Sequence, residues 1–159
     1  MEHLKRIKSS EVKKIINSLK EQYGIKKLKL PFIFFKNSKD YIFIVSKAWD
    51  TVNIKDIRVN NIGLYFANVK TNAIRLTIEG SQLLGPMIKK NIVDVSKDEI
   101  SDWIRGESLN KKISSNCFVV IRNNNDYFGC GRKHDDMIAN FIPKSRKIKS
   151  YNLPKISPS

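Results

Sequence analysis

The densest group of residues that could do chemistry lies at positions 128 to 148, FGCGRKHDDMIANFIPKSRKI. Cys130 stands four residues before His134, a glycine flanks it on each side, and the stretch closes on Lys144, Arg146 and Lys147. Three chemistries fit such a stretch: a metal site, a phosphate-cradling loop, or a hairpin that ends in a basic strand. A zinc site wants four ligands clustered at short spacings. Cys117, Cys130 and His134 supply three, and His3 stands in a distant segment. Phosphate loops need G-x-G-x-x-G or G-x-x-x-x-G-K-[ST], and neither pattern occurs. The hairpin remains. Pairing CFVVIR with YFGCGR around Asn123 to Asp126 sets Arg122 opposite Tyr127. Strict alternation then puts Cys117, Val119 and Ile121 on one face with Phe128, Cys130 and Arg132, and Gly129 and Gly131 on the other with Phe118 and Val120. Both thiols are expected in the core, where a free cysteine acts as a small hydrophobe.

Other catalytic patterns are absent: the sequence has no H-E-x-x-H and no G-x-S-x-G. Asp135 and Asp136 read as turn residues, and Asp98, Glu99 and Asp102 as acids in the first half of a helix, where they complement the dipole. The expectation is a protein without catalytic residues, metal or cofactor.

Charge gives the strongest global signal. Against 15 Asp and Glu stand 30 Lys and Arg, a formal +15, which is the footprint of a polyanion partner. Residues 1–36 carry ten basic and three acidic side chains, 37–110 ten and nine, and 111–159 ten and three. The excess therefore sits at both ends and suggests two basic surfaces. Lys supplies 23 of the 30, so a lysine-rich surface composition is the bland alternative. No uncharged apolar run reaches the roughly 18 residues of a membrane span and MEHLKRIKSS has no apolar leader. With only two cysteines, the expectation is a soluble cytoplasmic chain with no membrane partner. At 159 residues, one domain or two small ones are both open.

The elements that would position these residues follow from periodicity. Val12, Ile15, Ile16, Leu19 and Tyr23 recur at helical spacing behind a Ser9 or Ser10 cap, with Gly24 as the left-handed stop. Lys13, Lys14 and Lys20 lie on the opposite face. Two hairpins follow, one turning at Asn37 to Asp40 and one, GLYFANV and AIRLTIE, turning at Lys70 to Asn72. After Gly85-Pro86 come a strand NIVDVS, a helix with a Ser96/Glu99 capping box and Gly106 as its stop, and three more strands ending in MIANFI. A compact barrel or sandwich is expected there.

NIVDVSKDEISDWIRGE, FVVIR and YFGCGRKHDDMIANFIPKSRKI together resemble a PUA domain, a small RNA-binding pseudo-barrel. Upstream, IGLYFANV and IRLTIEGSQLLGP resemble the half that precedes this domain in archaeal Nip-like ribosome biogenesis factors and in small archaeal proteins related to the C-terminal region of RNA cytosine-C5 methyltransferases. No methyltransferase motif accompanies them. With the periodicity above, the resemblance implies an α+β chain: a helix with an antiparallel sheet over 1–87 and a PUA-type pseudo-barrel over 88–155, while the prolines and serines of the C-terminal stretch read as a frayed tail over 156–159. It implies binding of structured RNA, tRNA or rRNA, during RNA modification or ribosome biogenesis, through Arg105 and Gly106 at the helix end and Lys144, Arg146 and Lys147 in the last strand. Gly106 reads equally well as a simple helix stop. Lys111 and Lys112 in the adjoining loop can reach phosphates. A rival reading is an accessory subunit whose partner is a separate RNA-modification or ribosome-assembly protein. No run of exposed aromatics suited to stacking bases is evident, so recognition by backbone and shape is expected.

Overall fold

The computed structural model describes residues 3–51 and 63–148. It is an α+β fold with two open sheets. Strands β1 (Lys5–Arg6), β2 (Phe32–Lys36), β3 (Tyr41–Ser46), β4 (Leu64–Lys70) and β5 (Ala73–Leu76) form an antiparallel sheet in sequence order. Strands β6 (Ile92–Asp94), β7 (Phe118–Asn123), β8 (Asp126–His134) and β9 (Met137–Asn140) form a second, mixed sheet in which β6 runs parallel to β7. The described residues form no closed barrel. The helices are α1 (Ser9–Tyr23), α2 (Ile78–Leu84) and α3 (Lys97–Ile104).

Helix α1 buries Ile15, Leu19 and Tyr23 against the first sheet. Its start differs from the expected serine cap: Lys8 is the cap residue and makes no side-chain cap bond. The cause lies upstream, where the Ile7 N–H donates to Phe34 O at 2.8 Å and holds the chain on β2 until the helix begins. Gly24 ends the helix at φ +64°, and the Ile25 N–H closes onto Lys20 O at 3.0 Å, a left-handed stop. Both N-terminal hairpins form. Asn37 Oδ1 accepts the N–H groups of Lys39 and Tyr41 at 3.0 Å each, which lets Asp40 take φ +58°.

Helix α2 corrects the expected strand AIRLTIE, which stops at Leu76. Thr77 caps the helix: its hydroxyl accepts the Gly80 N–H at 3.0 Å and donates to Tyr65 O at 2.7 Å. Gly80 looks like a breaker in sequence, yet a Cβ there would lie 2.1 Å from Phe66 O. The missing side chain lets helix and strand touch.

Helix α3 has the capping box as read, with Ser96 Oγ accepting the Glu99 N–H and Glu99 Oε1 accepting the Ser96 N–H, both at 3.2 Å. The β7–β8 hairpin sets Arg122 opposite Tyr127 as expected. Two pairs further on the register has slipped by one, since Val120 faces Cys130. The extra residue falls at Phe128–Gly129, where Gly129 takes φ +79°. The faces therefore exchange. Cys130 lies with Phe118, Val120 and Tyr127 in the main core, while Phe128 packs with Val119 and Ile121 around Trp103. Cys117 is half-buried just before β7, not in the core.

The second sheet has core on both faces. Phe118, Val120, Tyr127 and Cys130 share a cluster with Leu19, Tyr23, Phe66, Leu76 and Leu84 of the first half. Trp103, Val119, Ile121, Ile138 and Ile142 make the cluster under α3. The Tyr127 ring fits over Gly85, where a Cβ would lie 2.5 Å from it. The Gly129 N–H donates to Ser81 Oγ at 2.9 Å. The boundary expected after Met87 falls at the end of the 3-10 turn Gly85–Met87, and the expected tail, 156–159, lies outside the described residues.

Candidate nucleic-acid interface

The end of α3 is a built platform. Gly106 takes φ +95°, and the chain returns to the helix end when the Ile148 N–H donates to Ile104 O at 2.9 Å. Asn140, the last residue of β9, fixes the loop after the helix: its Nδ2 donates to Trp103 O at 2.8 Å and Glu107 O at 2.9 Å, and its Oδ1 accepts the Ile142 N–H at 2.8 Å. The Trp103 indole N–H donates to Phe128 O at 2.8 Å. Asn140 thus also ends the strand, before Pro143. Lys144–Arg146 is a 3-10 turn, which corrects the expected basic last strand.

The predicted residues are only partly brought together. Lys147 lies across Gly106; a Cβ at that glycine would meet Lys147 Cε at 2.4 Å and Nζ at 2.7 Å. Arg105 stands beside them as the helix cap residue, with Asp102 and Glu107 as ion-pair partners, the latter at 3.8 Å. Lys144 is exposed on the neighbouring turn and makes no ion pair among the described residues. The other three are engaged elsewhere. Arg146 pairs with Glu79 of α2, Lys111 with Glu99 in the first turn of α3 at 3.4 Å, and Lys112 with Asp136 in the β8–β9 turn at 3.8 Å. Burial raises the Glu99 carboxyl, but the Ser96 and Lys111 bonds outweigh it and hold the group below the usual range. Lys111 and Lys112 thus carry charge already matched by an acid.

The stretch around Cys130 has a different character. Its Sγ lies 3.5 Å from the Tyr23 hydroxyl in the main core, and burial pushes the thiol up to about 11, so it stays protonated at neutral pH. Cys117 lies on the rim of a groove with Lys14, Lys70 and Lys90. His134 is exposed at the end of β8. Among the described residues no three or more His, Cys, Asp or Glu side chains are grouped to hold a metal ion.

A cluster of aromatic and arginine side chains was missed from sequence. Phe118 and Phe141 meet edge to face, with centroids 5.5 Å apart and planes at 78°. The Arg75 guanidinium lies 5.0 Å from the Phe141 centroid and the Arg132 guanidinium 5.1 Å from that of Phe118. Burial raises the pKa of the Tyr65 hydroxyl, and the Arg75 guanidinium opposes that rise. Tyr65 in turn stacks at a tilt between Tyr41 and Phe43, with centroids 5.1 and 5.3 Å away. The signal for Phe141 was its parity: Ile138 and Ile142 are buried, whereas Met137 and Phe141 are 41% and 37% exposed.

No helix among the described residues is long and apolar enough to cross a membrane. Compared with known protein families and with curated proteins, the chain matches none.

Proposed function

We propose that the protein is a non-catalytic RNA-binding protein of the PUA type, acting on tRNA or rRNA in RNA modification or ribosome biogenesis. The observation that carries the reading is the platform at the end of α3. There Lys147 is laid across Gly106 with Arg105 beside it and Lys144 on the adjoining turn. Two ammonium groups that have no carboxylate partner among the described residues suit phosphate contacts, which position a protein on RNA without reading sequence. The net charge of +15 supports the same class of partner. Within this reading Arg105 and Gly106 shape the surface, and Lys144 and Lys147 neutralise phosphates. Lys111 and Lys112 contribute by exchanging their carboxylate partners for phosphate, and Arg146 stays with Glu79 and lends its charge to the turn.

The test is equilibrium binding of the full chain to a labelled tRNA transcript across a salt series. A log-log slope of about −3 to −6 is expected for several neutralised phosphates. Affinity that stays flat as salt rises would refute an electrostatic RNA surface, and no binding at any salt would favour a protein partner instead.

A further inference from the structure

The 3-10 turn that carries Lys144 has a second side. Behind it, between α2, β5 and the segment after β9, runs a groove of about 660 Å³ lined by Tyr65, Arg75, Ile78, Phe141, Pro143 and Arg146. Its acidic residue among the described lining, Glu79, is already neutralised by Arg146. The rim is an aromatic ring more than a third exposed, Phe141, backed by Phe118 and overlain by the Arg75 guanidinium. An exposed ring braced by an aromatic and a guanidinium loses little freedom on stacking, and π-faces with arginine planes are what unpaired bases stack on. Burying such a ring in the protein interior would have been the simpler arrangement. Here Phe141, one residue past the end of β9, is exposed like Met137, while Arg132 over Phe118 adds a second cation beside the same ledge.

We infer that the Phe141–Arg75 ledge takes an unpaired base of RNA, stacked against Phe141, next to the helical part of the RNA held at the end of α3. The inference rests on the RNA-binding reading and extends it to the substrate class: structured RNA with an adjacent single-stranded nucleotide, not a fully paired duplex. The 3-10 turn Lys144–Arg146 connects the two surfaces, with Arg146 on the groove side and Lys144 exposed on the same turn. A strand leaving a helix can therefore keep its phosphates near the turn while one base enters the groove.

The test compares a short hairpin RNA carrying a single-stranded uridine overhang with the same hairpin made blunt, by fluorescence anisotropy on the full chain. Wild type should prefer the overhang form by about tenfold, the size of one base–aromatic stack. Phe141→Leu keeps an apolar side chain but removes the π-face, and should abolish that preference without changing affinity for the blunt hairpin or the salt slope. Phe141→Trp should retain or increase it. Equal affinity of wild type for both hairpins overturns the ledge and leaves the RNA reading standing. A Leu variant that weakens both hairpins alike also overturns the ledge, because its effect is then not on the unpaired base. Failure of wild type to bind either hairpin overturns both readings and leaves the ledge to a protein partner.

Discussion

Removing the two ammonium groups of the α3 platform gives a quantitative test of what the surface is for. Lys144 is exposed, and Lys147 is half-buried because its stem covers Gly106. Lys144→Ala with Lys147→Met therefore removes both charges while leaving apolar cover over the glycine. Each phosphate contact releases about 0.7 to 0.9 counterions, so the salt slope should become shallower by roughly 1.4 to 1.8 units. Taking about 1 M salt as the point where this contribution vanishes, each contact is worth roughly fivefold at about 0.15 M. The double variant should then bind tRNA up to about 30-fold more weakly. Stability should move by no more than about 0.5 kcal/mol, since neither side chain is fully buried or ion-paired among the described residues. The matched control is Lys13→Ala with Lys14→Ala on the exposed face of α1, which removes the same charge elsewhere. The assay is anisotropy across a salt series, with thermal unfolding alongside. Equal weakening by both variants would show that net charge alone matters, and an unchanged slope in the first would show that neither lysine meets a phosphate. Either result refutes the assignment of the platform.

Three further outcomes follow from the packing and the charges. Cys117 should react with a thiol reagent in the native state and Cys130 only on unfolding, because Cys130 is buried with its pKa near 11; Cys130→Ala should cost about 1 kcal/mol by denaturant titration and leave RNA affinity unchanged. Gly80→Ala should cost about 2 to 3 kcal/mol, since the new Cβ would fall 2.1 Å from Phe66 O, which is backbone and cannot yield cheaply; a change under about 0.5 kcal/mol would mean α2 can shift away from β4. The bidentate bond from Arg122, at 2.6 and 2.9 Å, holds the Asp94 carboxyl below its ordinary value. Its small stabilisation is therefore present above the unfolded-state pKa and lost as pH falls through the folded one. Asp94→Asn should lower the thermal midpoint at neutral pH but not in strong acid, and a deficit that persists in acid would show that the charge is not what matters.

How much of this was legible in the sequence depended on how local each feature is. The capping box of Ser96 and Glu99, the left-handed Gly24 and the Arg122–Tyr127 register each involve residues a few positions apart, and all appear as read. The bulge at Phe128–Gly129 was not legible, because one extra residue leaves the apolar pattern looking intact while exchanging the faces beyond it. That exchange moved Cys130 from the α3 side of the sheet to the main core. Helix α2 was hidden by Gly80, whose role is contact with Phe66 and not chain breaking. Of the candidate site, Arg105, Gly106 and Lys147 came together because one backbone bond, Ile148 to Ile104, brings the end of the described chain back to the helix. The pairing of Arg146 with Glu79 and the ledge built from Arg75, Phe118, Arg132 and Phe141 join residues far apart in sequence. No spacing rule reports them.

The three hydrogen bonds of Asn140 bear on how fast a partner can dock. They tie the last strand to the carbonyls of Trp103 and Glu107 on either side of Arg105 and Gly106, and to the Ile142 N–H just before the basic turn. The backbone that presents Lys144 and Lys147 is thus already ordered, and only the lysine side chains have rotamer freedom to lose. A surface prepared in this way needs no folding step after first contact. On the proposed RNA-binding reading, the association rate should be set by diffusion and by the field of the excess positive charge, and should fall with ionic strength as that field is screened.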